Sequence, residues 1–329
     1  MSISAALRRI VSLGLFVLAA ATTANAQDAA TFPSRTVRIV VPYAAGGLAD
    51  TMTRIVAQRL NESFGQQVVI DNRGGGGGIP GSEAVARSVP DGYTLLFGDT
   101  GPLGINPSLY SKLPYDPLKD FAPVSLIGSS STFLIAHESV PVKTFAEFVA
   151  LARARPGQLN YGSSGAGSVH HLTMEALKAA LGLDILHIPY KGTGQMVPAL
   201  VGGQVSVGFS SLPSIATHIK SGRVKLLAIN VLKRSPRAPE VPTIDEMGVP
   251  GFDFPGSNGI VAPAATPPAI VAKLSAEIAR AVRNPDTVQR FNEIGLEPVG
   301  STPEAFAAQI RADIEKYARA VKVSGARAD

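Results

Sequence analysis

Three short stretches of this chain combine glycine, small hydroxyl residues and a change of pattern from strand to helix. The first is Val41-Pro42-Tyr43-Ala44-Ala45-Gly46-Gly47-Leu48-Ala49-Asp50. Glycine has no Cβ, so Gly46-Gly47 lets the backbone turn and approach a ligand closely. The helix that starts here leaves its first N–H groups unused, at the positive end of its dipole. A carboxylate or another anion suits that position. The second stretch is Gly162-Ser163-Ser164-Gly165-Ala166-Gly167-Ser168, and the third is Pro189-Tyr190-Lys191-Gly192-Thr193-Gly194, which adds a cation. Each also reads as an ordinary turn between strand and helix, and Lys191 as a solvated surface lysine; the residues alone leave both readings open.

Machinery for breaking bonds is sparse. The five histidines are His137, His170, His171, His187 and His218, and none has the spacing of a zinc site. The chain has no cysteine, which excludes thiolate metal sites and thiol nucleophiles. His187 ends an apolar strand and reads as a hydrogen-bonded structural histidine. His170 and His171 are adjacent at a helix start, so only one of them can face a given side. Residues 162–166 fall one residue short of the nucleophile elbow G-x-S-x-G. A hydrolase would pair Ser164 with His171 and would need an acid that no motif places. Gly76, Gly78 and Gly81 fit G-x-G-x-x-G, with Asp99 near the end of the next strand. The helix after them is short and Pro80 interrupts the turn, so a glycine hinge or lid fits better than a dinucleotide site. The picture is donors without catalytic groups. It describes a binding protein that uses no cofactor and no metal.

The elements that must hold these loops follow from periodicity. Apolar β-branched runs predict strands at 37–41, 67–70, 93–97, 121–127, 132–136, 159–161, 185–188, 204–209, 225–229 and 259–262. Met52, Ile55, Val56, Leu60 and Phe64 share one face of a first helix. Thr144 and Glu147 form a capping box for a helix over 144–154. A short helix is expected at 213–220. Two long helices end the chain, with Ile270, Leu274, Ile278 and Val282 aligned in one, and Phe306, Ile310, Tyr317 and Val321 in the other. Residues 100–120 and 235–250 read as loop. Short polar residues at 129–131 mark a first crossing between two lobes. The expected division is 33–130 for the first lobe, 131–255 for the second, and 256–329 for the return and the packing helices.

The chain has 329 residues, 45% hydrophobic and 17% charged, enough to bury large cores. Arg8-Arg9, an apolar core over 10–20 and Ala24-Asn25-Ala26 form a secretion signal over 1–26. Its apolar core is too short for a membrane span. The expected compartment is the bacterial periplasm. Loss of the two signal arginines lowers the formal charge from +5 to +3. That mild excess suits small anions and does not argue for nucleic acid.

Several motifs then stand in a recognisable order: residues 41–50, Asp71-Asn72-Arg73-Gly74-Gly75, Pro90-Asp91-Gly92-Tyr93-Thr94, Asn106-Pro107-Ser108-Leu109-Tyr110, Lys112-Leu113-Pro114-Tyr115-Asp116-Pro117, His187-Ile188-Pro189-Tyr190-Lys191-Gly192, and Val241-Pro242-Thr243-Ile244-Asp245-Glu246-Met247-Gly248. Over 32–321 the chain resembles the Bug family, the periplasmic solute-binding proteins of tripartite tricarboxylate transport systems. The resemblance implies an α/β fold of the type II periplasmic-binding-protein kind, with two α/β lobes and a ligand cleft between them. It implies a small carboxylate ligand: a di- or tricarboxylate, an acidic amino acid or an aromatic acid. The implied partner is the membrane part of such a transporter; the alternative is the ectodomain of a two-component sensor kinase. The ligand contacts expected are Tyr43, Ala44, Ala45, Gly46, Gly47 and Asp50 from the first loop and Thr100 after the third strand. The second lobe adds Ser163, Ser164, Gly165, Ser168, His171, Tyr190, Lys191, Gly192 and Ser210. Two departures touch the cleft. Tyr43-Ala44-Ala45 stands where Phe-Pro-Pro is common, and Ser206 with Ser210-Ser211 stands where the family usually has an Asp. If the signal reading is right, the mature protein begins at Gln27; mass spectrometry of a periplasmic fraction that shows an intact Met1 refutes it.

Overall fold

The computed structural model describes residues 31–328, so the secretion signal lies outside the described residues. The chain runs β1 (Val37–Val41), α1 (Leu48–Phe64), β2 (Val68–Asn72), α2 (Ile79–Ala86), β3 (Thr94–Asp99), α3 (Asn106–Leu109) and β4 (Phe121–Ser130). It then crosses to β5 (Phe133–His137), α4 (Phe145–Ala154), β6 (Asn160–Ser163), α5 (Val169–Leu181), β7 (Leu186–Pro189), α6 (Thr193–Val201), β8 (Val207–Ser210), α7 (Leu212–Lys220) and β9 (Val224–Ile229). It returns through β10 (Gly256–Pro263), α8 (Pro268–Arg283), α9 (Pro285–Glu293), β11 (Leu296–Pro298) and α10 (Pro303–Ser324).

These strands make two sheets, ordered β11-β4-β10-β3-β1-β2 and β7-β6-β8-β5-β9. In the first, β1 runs parallel to β2 and β3, and the returning β10 runs antiparallel to β3 and β4. In the second, β6 runs parallel to β7 and β8, and the arriving β5 runs antiparallel to β8 and β9. The two orders repeat one plan: each lobe inserts the strand that arrives from the other lobe next to its third strand. The fold is therefore two α/β lobes tied by two crossing segments.

The strand sequences explain why both sheet faces are covered. In β1, Val37, Ile39 and Val41 pack under α1 and α8, while Val40 joins Leu96, Val261, Phe306 and Ile310 on the other face. In β5, Leu134 and Ala136 face one core, and Phe133 and Ile135 the other. A strand apolar on both faces belongs in the middle of a layered α/β sheet.

Some elements departed from expectation. α6 carries Pro198 inside it, and α9 and β11 are elements that the periodicity did not indicate. α9 buries only Thr287 and Phe291, too few apolar residues to show a period, and Asn284 starts it by accepting from Asp286 N–H at 3.0 Å. Residues 101–105 are a wide, π-type helical turn that runs into α3, rather than loop.

The last helix holds both lobes. α10 packs on β4 and on residues 101–105 of the first lobe and on α5 of the second. Tyr317, Ala320 and Val321 enter the core that includes Leu172 and Met174. Tyr317 is fully buried and meets the Phe254 ring edge-on at 5.7 Å. Tyr317→Ala is expected to cost about 3–5 kcal/mol, the usual loss for deleting a buried aromatic ring; urea unfolding measures it.

Candidate functional site

Parallel strands send their carboxyl ends to the same edge of a sheet, and both lobes turn that edge toward the crossing segments. Four candidate groups sit there: the loop after β1, the end of β3, the loop after β6 and the loop after β7.

The loop after β1 is open and glycine-dependent. Residues 44–48 are exposed. Gly46 has φ +83°, a conformation that other residues reach only with strain. Gly47 caps α1 without any side-chain bond to the first turn. The helix start therefore keeps backbone donors for a ligand. Gly74, after β2, lies against this loop so closely that a Cβ there would stand 2.9 Å from Ala44 N. Asp50 has another duty: its carboxylate accepts from Gly46 N–H and from Arg54 Nε, both at 2.9 Å. These bonds hold its carboxyl below the usual range, the Arg54 bond most of all. Asp50 thus shapes the loop from beneath.

At the end of β3 the structure brings together residues that the sequence kept apart. Tyr43 Oη donates to Asp99 Oδ1 at 2.8 Å, and Gly101 N–H donates to the same oxygen at 3.0 Å. Burial pushes the Asp99 carboxyl up to about 6, and the two donors oppose that rise. Burial, followed by the Asp99 charge, pushes the Tyr43 hydroxyl far above its ordinary value. Thr100 turns away to the crossing segment, where its hydroxyl accepts from Ser257 N–H at 2.8 Å.

The second-lobe loop rests on a stack of rings. His171 and His187 lie 4.0 Å apart and nearly parallel, and Tyr161 stacks on His187 at 4.8 Å. Ser163 Oγ meets His187 Nε2 at 2.7 Å and accepts from Gly165 N–H at 3.1 Å. His171 Nδ1 accepts from Gly167 N–H at 3.0 Å, so that nitrogen carries no proton. Ser168 caps α5 by accepting from His171 N–H at 3.3 Å. Ser164 Oγ pairs with His170 Nδ1 at 2.7 Å, not with the His171 expected of a hydrolase. Burial pushes His170 and His187 down to about 4 and lowers His171, so this loop is uncharged at neutral pH.

The third loop joins the second through Tyr190 N–H, which donates to Ser163 O at 3.1 Å. Gly192 caps α6 with φ +103° and without a side-chain bond. Lys191 is exposed, and only its backbone is tied, to Gln195 Oε1 at 3.2 Å. Ser210 is fully buried, and its Oγ has no partner among the described residues. Across the gap, Leu109 of the first lobe packs on Gly167, where a Cβ would stand 2.4 Å from it.

Among the described residues no cluster of His, Asp or Glu could hold a metal, and no helix is long and apolar enough to cross a membrane. A cavity of about 1050 Å³ lies beside the crossing segments, lined by Phe133, Leu212, Ile229, Val231 and Leu296 among others. It shares no residue with the four groups. Its lining also carries Lys233, Arg234 and Arg237 beside the acids Asp253, Glu293 and Glu297.

Sequence reasoning missed the Tyr43–Asp99 contact, the Ser164–His170 pair and the stacking of Tyr161, His187 and His171. The only signal was position at strand ends and helix starts; the pairings cross between elements. Asp99 also makes a stability prediction. Its raised carboxyl holds a proton more tightly in the fold than in the unfolded chain, so its burial costs stability above pH 6 and not below pH 4. Asp99→Asn should be more stable than the parent at pH 7.5, by up to about 3 kcal/mol. The gain should fade as the pH falls from 6 to 4, which thermal melts against pH would show.

Comparisons with known proteins agree with this geometry. Residues 52–325 match the family model described as "Tripartite tricarboxylate transporter family receptor". The chain is 35% identical to protein BugT of Bordetella pertussis, over 97% of this chain and 98% of that one. Among solved structures it is similar to an R. palustris protein with adipate, at 36% identity and TM-score 0.78, covering 89% of this chain and 98% of that one. It is likewise similar to MatC of Rhodopseudomonas palustris with bound malate, at 35% identity and TM-score 0.75, covering 88% and 100%. The periplasmic binding protein BugD shares 33% identity at TM-score 0.75, covering 90% and 99%. With the family model spanning both lobes and relatives aligned almost end to end, the chain belongs to the Bug (TctC) family of periplasmic solute-binding proteins.

Proposed function

We propose that this protein captures a small carboxylate in the cleft between its lobes and delivers it to a tripartite tricarboxylate-type membrane transporter. The observation that carries this reading is the loop after β1: an uncapped helix start behind two glycines, exposed to solvent. Carboxylate oxygens accept several N–H bonds at once, and these bonds strengthen with charge. The neutral serine loop after β6 and the glycine start of α6 would supply further donors from the second lobe. Related structures contain adipate and malate, both of which end in carboxylates. Tyr43, Ala44, Ala45, Gly46 and Gly47 then line one wall, and Ser163, Ser164, Gly165, Ser168, Tyr190 and Gly192 the other. Lys191 adds an exposed positive charge at the rim. The periplasmic address follows from the same reading, with cleavage after Ala26.

A thermal-shift panel of small carboxylates tests the class. A ligand at 100 times its dissociation constant stabilises by about 2.7 kcal/mol. Gly47→Val tests the loop. Gly47 has φ −79°, and a Cβ there meets Ala44 O at an ordinary 3.6 Å, so the variant should fold. Binding of whichever carboxylate the panel identifies should weaken at least tenfold, about 1.4 kcal/mol. Unchanged affinity in a folded variant removes this loop from the site.

A further inference from the structure

Three acids close to the first-lobe loops are answered by cations. Asp50 pairs with Arg54, Asp71 with Arg73 and Arg38, and Asp91 with Arg35. Asp99 is different. Among the described residues no cation contributes to its electrostatics, and the side-chain and loop donors it receives are the neutral Tyr43 hydroxyl and Gly101 N–H. Both bonds fall on Oδ1, and Asp99's own backbone N–H is a third, equally neutral donor. Asp99 ends β3, the strand between β1 and β10, so it stands beside the loop proposed to hold the ligand carboxylate. The contact that pins Tyr43 also fixes the carboxylate in place, and it commits the only proton that the Tyr43 hydroxyl can donate.

A carboxylate at the wall of a carboxylate site is a selective element. It repels a second bare acid group and attracts a protonated amine, or accepts from a hydroxyl. We infer that Asp99 is a specificity-determining residue, which makes the cleft prefer carboxylates bearing an ammonium or hydroxyl group over plain diacids of the same length. This inference rests on the carboxylate reading above. Asp50 is unsuited to the same task because its charge is already paired with Arg54.

Calorimetry at pH 7.5 with two matched series tests it: aspartate, malate and succinate, then glutamate, 2-hydroxyglutarate and glutarate. The parent protein should bind the amino or hydroxy member at least tenfold more tightly than the plain diacid in one series, and the amino and hydroxy arms tell ammonium from hydroxyl. Asp99→Asn keeps an oxygen for Tyr43 and Gly101 while it removes the charge. In this variant the amino or hydroxy acid should weaken and the plain diacid should gain, closing the gap at least tenfold. A residue with only a structural role would weaken all members alike. Asp99→Ser provides a second variant should the first fold poorly. A preference for the plain diacid in the parent, or an unchanged ratio in a folded variant, overturns the assignment of Asp99 while the carboxylate reading stands. Binding of none of the six overturns this inference, and binding of no member of the wider carboxylate panel overturns the carboxylate reading as well.

Discussion

Parallel strands impose the constraint on which the rest of this molecule depends. A chain leaving one strand must travel back before it can enter the next in the same direction, and here it does so through a helix. Every such strand therefore ends where a turn and then a helix begin. β1, β6 and β7 each deliver a helix start to the same edge of their sheets. Backbone N–H groups collect there without any side chain being required. The two lobes then place these edges face to face because the chain crosses between them twice.

The two walls so formed differ in character. The first-lobe wall carries a buried acid, Asp99, and a charge pair, Asp50 with Arg54, close under its loop. The serine loop of the second-lobe wall is neutral, because stacked imidazoles held below their ordinary range support the serines, while Lys191 in the neighbouring loop is exposed. Rings of this kind fix a loop through van der Waals contact and two or three directional bonds, without the desolvation cost of an ion pair. One wall thus carries acids beneath its loop, and the other presents hydroxyl and backbone groups held by stacked rings.

Much of this was legible in the residues. β1 could be read from Val37, Ile39 and Val41, and the start of α4 from Thr144 and Glu147. The structure shows Glu147 N–H donating to Thr144 Oγ1, with the Glu147 carboxylate reaching Lys143 N–H. Local chemistry of that sort is contained within a few consecutive positions. What stayed hidden depends on neighbours distant in sequence. Tyr43 meets Asp99 only because β1 lies beside β3 in a register that pairs Arg38 with Thr94. His187 supports Ser163 only because β7 pairs with β6. For α6 only the start, after the glycines of the third loop, was legible. Pro198 breaks the usual helical pattern, yet tertiary packing of Met196, Val197 and Leu200 holds the helix.

The last helix has a mechanical consequence. Two crossing segments alone would leave the lobes free to swing. α10, 22 residues and about 33 Å long, is seated on both. Its contacts are packed side chains, Tyr317, Ala320 and Val321 among them, and close-packed surfaces settle into a few arrangements instead of deforming smoothly. Any change in the angle between the lobes must therefore slide one lobe along this strut. The fraction of molecules at the binding-competent angle multiplies the intrinsic strength of the cleft. Affinity is then set partly by a seam that touches no solute, so relatives with identical walls can still differ in how tightly they hold the same molecule.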